Sequence, residues 1–172
     1  MSEHMQLSDL LDAGCGPAPM ISLLAEKYPE KHYTGLDLTP AMIEQAKKKH
    51  IPNATFVVGD CENFPFEDNA FDAVICSMSF HHYLNPQAFF NSVKRCLRPG
   101  GRLILRDMTS NSKLVQWLCN HIEMPIAHLF GHGDYQFVTR ESVMEYAQKA
   151  GLTVERFEVR KGMRLHCVVR KS

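Results

Sequence analysis

The sequence predicts an α/β fold: a three-layer sandwich in which helices cover both faces of a mostly parallel sheet and an antiparallel hairpin closes the chain. Three observations carry this expectation. Short apolar runs alternate with segments of helical periodicity from Leu10 to Gly151, the pattern of a parallel sheet with crossover helices. Two of the helices open on a cap residue followed by proline, Thr39-Pro40 and Asn85-Pro86, so their starts are marked in the sequence. The last two β-type runs, about 153–160 and 164–170, flank Lys161-Gly162 as a hairpin.

Taken in order, the first strand begins near Ser8 and ends in Leu10-Leu11-Asp12. After Ala13-Gly14-Cys15-Gly16 comes a helix with Met20, Ile21, Leu23, Leu24 and Tyr28 on one face. Pro17 and Pro19 are tolerated in its first turn, where an amide has no partner. Residues 32–37 form a second strand, and a helix follows from Pro40 to about His50 through Met42, Ile43 and Ala46. Its lysines 47–49 suit the negative end of the helix dipole. Residues 55–59 are a third strand, the turn-rich 62–69 precede a fourth at 71–76, and 77–84 form the loop after it. The next helix buries Phe89, Phe90, Val93, Cys96 and Leu97. Arg98-Pro99-Gly100-Gly101 is expected to stop it, with the fifth strand starting at Arg102. Residues 109–138 are the least regular: Leu114, Val115, Leu118, Ile122, Ile126 and Leu129 keep a helical spacing, Pro125 interrupts it, and 131–134 form a loop. Thr139 caps a last helix carrying Val143, Tyr146, Ala147 and Ala150, ended by Gly151.

Composition excludes several function classes. The 172 residues are expected to form one domain, 1–172, long enough to bury a core without disulfides or metals. Lysine plus arginine number 19 and aspartate plus glutamate 19, so the electrostatic footprint of a nucleic-acid binder is missing. Six cysteines without a C-x-x-C pair read as free thiols in a reducing cytoplasm. No run reaches the roughly 18 apolar residues of a membrane span, and no signal-peptide core opens the chain. Ser2-Glu3-His4-Met5 is compatible with a cloning scar.

Chemistry concentrates first at Asp12-Ala13-Gly14-Cys15-Gly16-Pro17-Ala18-Pro19, where a buried strand turns sharply into a helix and glycines let a ligand approach the backbone. A nicotinamide fingerprint fits poorly: its third glycine would fall at Pro19, and Asp12 would set a carboxylate beside a pyrophosphate. A ligand with a cationic end and no phosphate removes the conflict, and S-adenosylmethionine is one. Asp37 ends the second strand at about the 20-residue distance at which such folds place the acid for a ribose diol.

The stretch resembles motif I of the class I methyltransferases, acidic-x-Gly-x-Gly-x-Gly, with Ala18 in place of the third glycine. Gly59-Asp60-Cys61-Glu62-Asn63-Phe64-Pro65-Phe66-Glu67-Asp68-Asn69-Ala70-Phe71-Asp72-Ala73-Val74 and Leu97-Arg98-Pro99-Gly100-Gly101-Arg102-Leu103 are similar to the small-molecule methyltransferases often called type 11, which include the ubiquinone and menaquinone C-methyltransferases. The resemblance runs from Leu10 through nearly the whole chain. It implies a Rossmann-like, seven-stranded sheet with strand seven between five and six, S-adenosylmethionine as cofactor, and methyl transfer to a small molecule. Carried over residue by residue, it implies that Gly14 and Gly16 give backbone contact to the methionine end and that Asp12 faces its ammonium. Asp37 would take the ribose hydroxyls, Leu38 and Met42 the adenine face, Asp60 the adenine amino group and the Cys61 amide a ring nitrogen. Ser77 would add a carbonyl to the ammonium.

Plainer roles stay open at each position. Asp12 could accept the loop's own amides, Asp37 and Asp60 could be ordinary strand-end acids, and Leu38 and Met42 serve equally as core. Phe64, Phe66 and Phe71 read as core. His81 and His82 follow strand four, where one could orient a substrate or take a proton, or both could only pack. His121, His128 and His132 lack a cysteine or carboxylate to complete a metal set, so no metal is expected. Methylation of nucleic-acid bases is disfavoured, because Cys76-Ser77-Met78-Ser79-Phe80 stands where such enzymes carry Asn/Asp-Pro-Pro-aromatic. A non-catalytic or truncated cofactor-binding protein is the rival reading. Relatives of this type carry helices before motif I that cover the site, and here the N-terminus is short. Cover is therefore expected from 109–138, with Trp117, Met124, Phe130, Tyr135 and Phe137, or from a second copy in a homodimer; otherwise the chain is a fragment with an open site.

Overall fold

The computed structural model describes residues 8–123, 126 and 137–172. The strands Asp9–Ala13 (β1), His32–Asp37 (β2), Ala54–Val58 (β3), Phe71–Ser77 (β4), Leu97–Arg106 (β5), Leu152–Arg160 (β6) and Arg164–Lys171 (β7) form one sheet in the order β3-β2-β1-β4-β5-β7-β6. The first five are parallel, and β7 runs antiparallel between β5 and β6. The alternation and the closing hairpin are those read from the sequence, and the Rossmann-like, seven-stranded order with strand seven between five and six is the one the resemblance implies.

The helices are Pro19–Lys27 (α1), Pro40–Lys47 (α2), Pro86–Cys96 (α3), Lys113–Leu118 (α4), which continues as a π turn over Cys119–Glu123, and Arg140–Lys149 (α5). Side chains alternate across a strand, so each central strand feeds two cores. Leu11, Leu36, Val74 and Leu103 pack with Phe89 and Val93 of α3 and Val143 of α5. Tyr33 packs on the other face with Ile21 of α1 and with Ile43 and Ala46 of α2. Strand β4 is buried from Phe71 to Cys76, as expected of a central parallel strand with both faces covered. Phe64 and Phe71 are core residues and Phe66 packs against them, as the sequence suggests.

The helix starts follow their caps. Asn85 Oδ1 accepts the Ala88 amide at 3.2 Å, and Thr139 and Ser142 exchange hydrogen bonds in a capping box, which contributes about 1 kcal/mol. Thr39 differs from expectation. It occupies the N-cap of α2 but its side chain caps nothing, and its own amide donates to Asp37 Oδ1 at 2.9 Å.

A second correction concerns β5. Arg98-Pro99-Gly100-Gly101 does not stand outside the sheet; the strand starts at Leu97, which pairs with Phe71 before the register jumps to Ala73 opposite Arg102. Proline and glycine suit such a bulge, and a Cβ on Gly101 would lie 2.8 Å from the Arg98 carbonyl oxygen. Arg98 then reaches Asp9 at 2.8 Å and Asp72 at 2.9 Å, tying β1 to β4. Of the helical stripe expected between Leu114 and Leu129, residues 124, 125 and 127–136 lie outside the described residues. No helix among the described residues is long and apolar enough to cross a membrane.

Candidate functional site

The strand order reverses between β1 and β4, and in open α/β sheets ligands bind beyond the carboxyl ends of the strands at such a point. A cavity of about 610 Å³ lies there, lined by Gly14, Gly16, Asp37, Leu38, Met42, Asp60 and Cys61. That size suits a nucleoside-sized ligand. A hollow of about 240 Å³ adjoins it through Gly14 and Met78 and is lined by Asp12 and Ser77. All nine residues assigned to a cofactor thus converge on two connected spaces.

The two glycines do different work there. Both have positive φ, 74° at Gly14 and 52° at Gly16. A Cβ on Gly14 would stand 2.3 Å from Ser79 Oγ, so this position is closed by packing. A Cβ on Gly16 would meet no atom within 4 Å and would project into open space. Ala18, the departure from the motif, also has positive φ, 56°, and its side chain is buried in the α1/α2 core.

Asp37 Oδ2 accepts the Gly16 amide at 2.8 Å while Oδ1 accepts Thr39. A carboxylate has about four lone-pair directions, so each oxygen keeps one for a hydroxyl. Asp60 is similar: Oδ1 accepts the Glu62 amide at 2.7 Å. Leu38 is 68% exposed and with Met78 and Leu84 forms an apolar rim, which rules out a core role for it.

Asp12 is the least ordinary group. Its side chain is buried, and among the described residues it accepts no hydrogen bond, so it does not hold the loop by its amides. Burial, and then the charge of Asp37, raises its carboxyl to about 7. A buried, unpartnered carboxylate beside a cavity is suited to a cation.

His81 and His82 sit in a single 3-10 turn, with their ring centroids 4.0 Å apart and the rings tilted by 54°. His81 Nδ1 lies 2.7 Å from Oδ1 of Asp107, whose side chain is wholly buried. His82 faces the cavity together with Gly14 and Asp37.

Sequence reasoning missed Asp107, Ser79 and Tyr83. Ser79 Oγ donates to the Ala13 carbonyl at 3.1 Å and meets Tyr83 Oη at 3.0 Å, bracing the glycine loop from beneath. The acid ending strand five was the one signal for Asp107, since strands one and two end in acids with assigned roles. Burial pushes the thiols of Cys61 and Cys167 up to about 12, and those of Cys15 and Cys76 up as well, so these cysteines offer no thiolate near neutrality. His121 Nδ1 contacts the Trp117 carbonyl oxygen at 2.9 Å; His128 and His132 lie outside the described residues.

The donors fit S-adenosylmethionine: a carboxylate for an ammonium, a second for a diol, an apolar rim for a purine. They misfit a pyrophosphate, which Asp12 would repel.

Comparison with known proteins agrees with this geometry. The family model described as "Methyltransferase domain" matches residues 11–105, more than half of the chain. The phthiotriol/phenolphthiotriol dimycocerosates methyltransferase 1 of Mycobacterium ulcerans is 36% identical over 129 residues, covering 73% of this chain and 48% of that protein. The fatty-acid O-methyltransferase of Mycolicibacterium smegmatis is 37% identical over 109 residues, covering 63% and 40%. The chain thus spans about half the length of the curated relatives it matches or less. Among solved structures, an S-adenosylmethionine-dependent methyltransferase from Mesorhizobium loti superposes with a TM-score of 0.80 at 16% identity, covering 96% of this chain and 91% of that one, a likeness of fold.

Proposed function

This chain belongs to the methyltransferase-domain family of class I S-adenosylmethionine-dependent methyltransferases, and we propose that it binds S-adenosylmethionine in the cleft beyond β1 to β4 and moves the sulfonium methyl group to a small-molecule acceptor. The observation that carries the reading is Asp12: a buried carboxylate without a hydrogen-bond partner among the described residues, at the mouth of a glycine loop. When bound, S-adenosylmethionine supplies an electrophilic methyl group on a good leaving group.

The residues then divide the task. Asp12 and the Ser77 carbonyl hold the ammonium, and the backbone at Gly14 and Gly16 lets the methionine end lie close. Asp37 takes the ribose hydroxyls with its remaining lone pairs, Leu38 and Met42 flank the adenine, and Asp60 with the Cys61 amide reads its edge. The protein's main contribution is to hold the acceptor in line and exclude water. Where the acceptor must lose a proton, His81 is the group to take it. Asp107 fixes the tautomer with hydrogen on Nδ1, which leaves Nε2 as the basic nitrogen.

Cover for the site is assigned to 109–138, within a single domain spanning 1–172. In its described part Leu114, Trp117, Leu118, Ile122 and Ile126 are exposed, an apolar surface suited to closing over a ligand. A second copy of the chain is the alternative cover, and the oligomeric state decides between them. Six buried, unbridged cysteines suit a reducing cytoplasm. Following the name of the Mycolicibacterium relative, the acceptor is taken to be of fatty-acid kind. Incubation with methyl-labelled S-adenosylmethionine and fatty acids or alcohols should give labelled, extractable product that Asp12→Asn reduces. Label consumption with no product in any acceptor series, by a protein that binds cofactor, would count against transfer to this class.

A further inference from the structure

We infer a second subsite at the edge of the cleft that binds a carboxylate or phosphate group carried by the methyl acceptor; the inference rests on the functional reading above and deepens it. A hollow of about 280 Å³ is lined by Arg106, Arg160, Arg164 and His166 and meets the cleft at Ser77 and Met78. Those last two residues also line the space that holds Asp12, so an acceptor bound here lies next to the methionine end of the cofactor.

The topology brings the three guanidiniums together. Arg106 ends β5, Arg160 ends β6 and Arg164 begins β7, and the antiparallel hairpin puts all three at one end of the sheet. Arg160 and Arg164 face each other directly in the β6–β7 register. Like charges directly opposite destabilise a sheet, so the arrangement has no rationale in stability.

Nor is the positive charge consumed locally. The side chain of every other arginine forms an ion pair or hydrogen bond, whereas the Arg106 guanidinium forms none among the described residues. Arg160 pairs with Glu158 at 3.0 Å, but Arg164 donates Nε only to the neutral Lys161 carbonyl oxygen. Asp107 also lines the hollow, but its carboxylate oxygens are taken up by the His81 ring and amide and by the Met108 amide. His166 adds a buried Nδ1 that meets no partner among the described residues. Burial, and then the charge of Arg160, holds this histidine below its ordinary value, so the ring is neutral near pH 7 and can still donate. Guanidiniums in this number match the oxygens of a carboxylate or phosphate by paired N–H donors. Met78, half exposed beside them, offers apolar surface for the chain behind such a group.

The test uses the protein saturated with S-adenosylhomocysteine and three probes of equal chain length: octanoate, octyl phosphate and octanol. Titration calorimetry should show at least one anion binding about tenfold or more tighter than octanol, and which one identifies the group. Arg106→Gln should erase that preference and leave the octanol and S-adenosylhomocysteine affinities unchanged; Arg164→Gln should reduce it. Equal binding of anions and octanol, or an unchanged preference in Arg106→Gln, overturns the subsite. A loss of S-adenosylhomocysteine affinity in Arg106→Gln would give the hollow to the cofactor's own carboxylate and overturn it too. If the wild-type protein does not bind S-adenosylhomocysteine, the functional reading fails, and the same octanoate titration without cofactor still decides the anion site.

Discussion

Binding of a cationic ligand beside Asp12 has to move a proton. Burial, and then the charge of Asp37, raises this carboxyl to about 7 in the free protein. An ammonium alongside favours the ionised form and drives the proton off. With a value near 7, about a tenth of Asp12 is ionised at pH 6 and about nine tenths at pH 8. The affinity for S-adenosylhomocysteine should therefore rise about tenfold over that interval, ~1.4 kcal/mol. Calorimetry in two buffers of different ionisation enthalpy reads the proton itself: about 0.9 released per ligand at pH 6 and about 0.1 at pH 8. Asp12→Asn should remove the slope and weaken binding at pH 8 by about 1.5–3 kcal/mol, the range for hydrogen bonds to a charged group. The same shift has a sign for stability. A carboxyl whose folded value lies above its ordinary 3.8 binds its proton more tightly when folded, so stability is lost as pH rises from about 4 through 7. Asp12→Asn should accordingly melt higher than the parent at pH 8 without ligand. A flat affinity profile with no proton released, in a protein that binds, would refute the assignment of Asp12 to the ammonium.

Three further outcomes are expected. Asp37→Ala should cost about 1.5–3 kcal/mol of cofactor affinity, because it removes the diol acceptor and frees the Gly16 and Thr39 amides; unchanged titration with the fold intact would remove the ribose role. Gly16→Val should abolish binding, since its side chain would enter the cleft. Ala18→Gly should leave affinity within about twofold and stability within about 1 kcal/mol, because relief of the left-handed backbone offsets the lost buried methyl and the freer unfolded chain. A large gain in affinity on restoring this glycine would mean that Ala18 distorts the loop. Asp107→Asn should lower turnover and change its pH profile while S-adenosylhomocysteine affinity stays intact; a matching loss of affinity would place His81 in the cofactor pocket instead.

The layer architecture was legible because its signals are local. Cap-proline pairs marked α2 and α3, alternation marked the sheet, and the Thr139 cap marked α5. Motif I and the strand-end acids Asp37 and Asp60 were legible because chemistry and backbone geometry constrain the same few residues. What could not be read depended on contacts between distant segments. The bulge in β5 arises where Leu97 pairs with Phe71, and no breaker rule sees a partner strand. Ser79 matters because it fills the space a Cβ on Gly14 would need, 65 residues earlier in the chain. His81 and His82 look equivalent in sequence; only the turn that carries them sends one to Asp107 and the other into the cleft. The arginine cluster is likewise a product of topology, since β7 inserts between β5 and β6.

The central claim is that this cleft takes a cationic adenosyl ligand and rejects a pyrophosphate. Titration of the parent protein with S-adenosylmethionine, S-adenosylhomocysteine and NAD under identical conditions tests it most directly. Saturable binding of both sulfur compounds, with no heat from NAD, is the predicted result. Binding of NAD without either sulfur compound would contradict it.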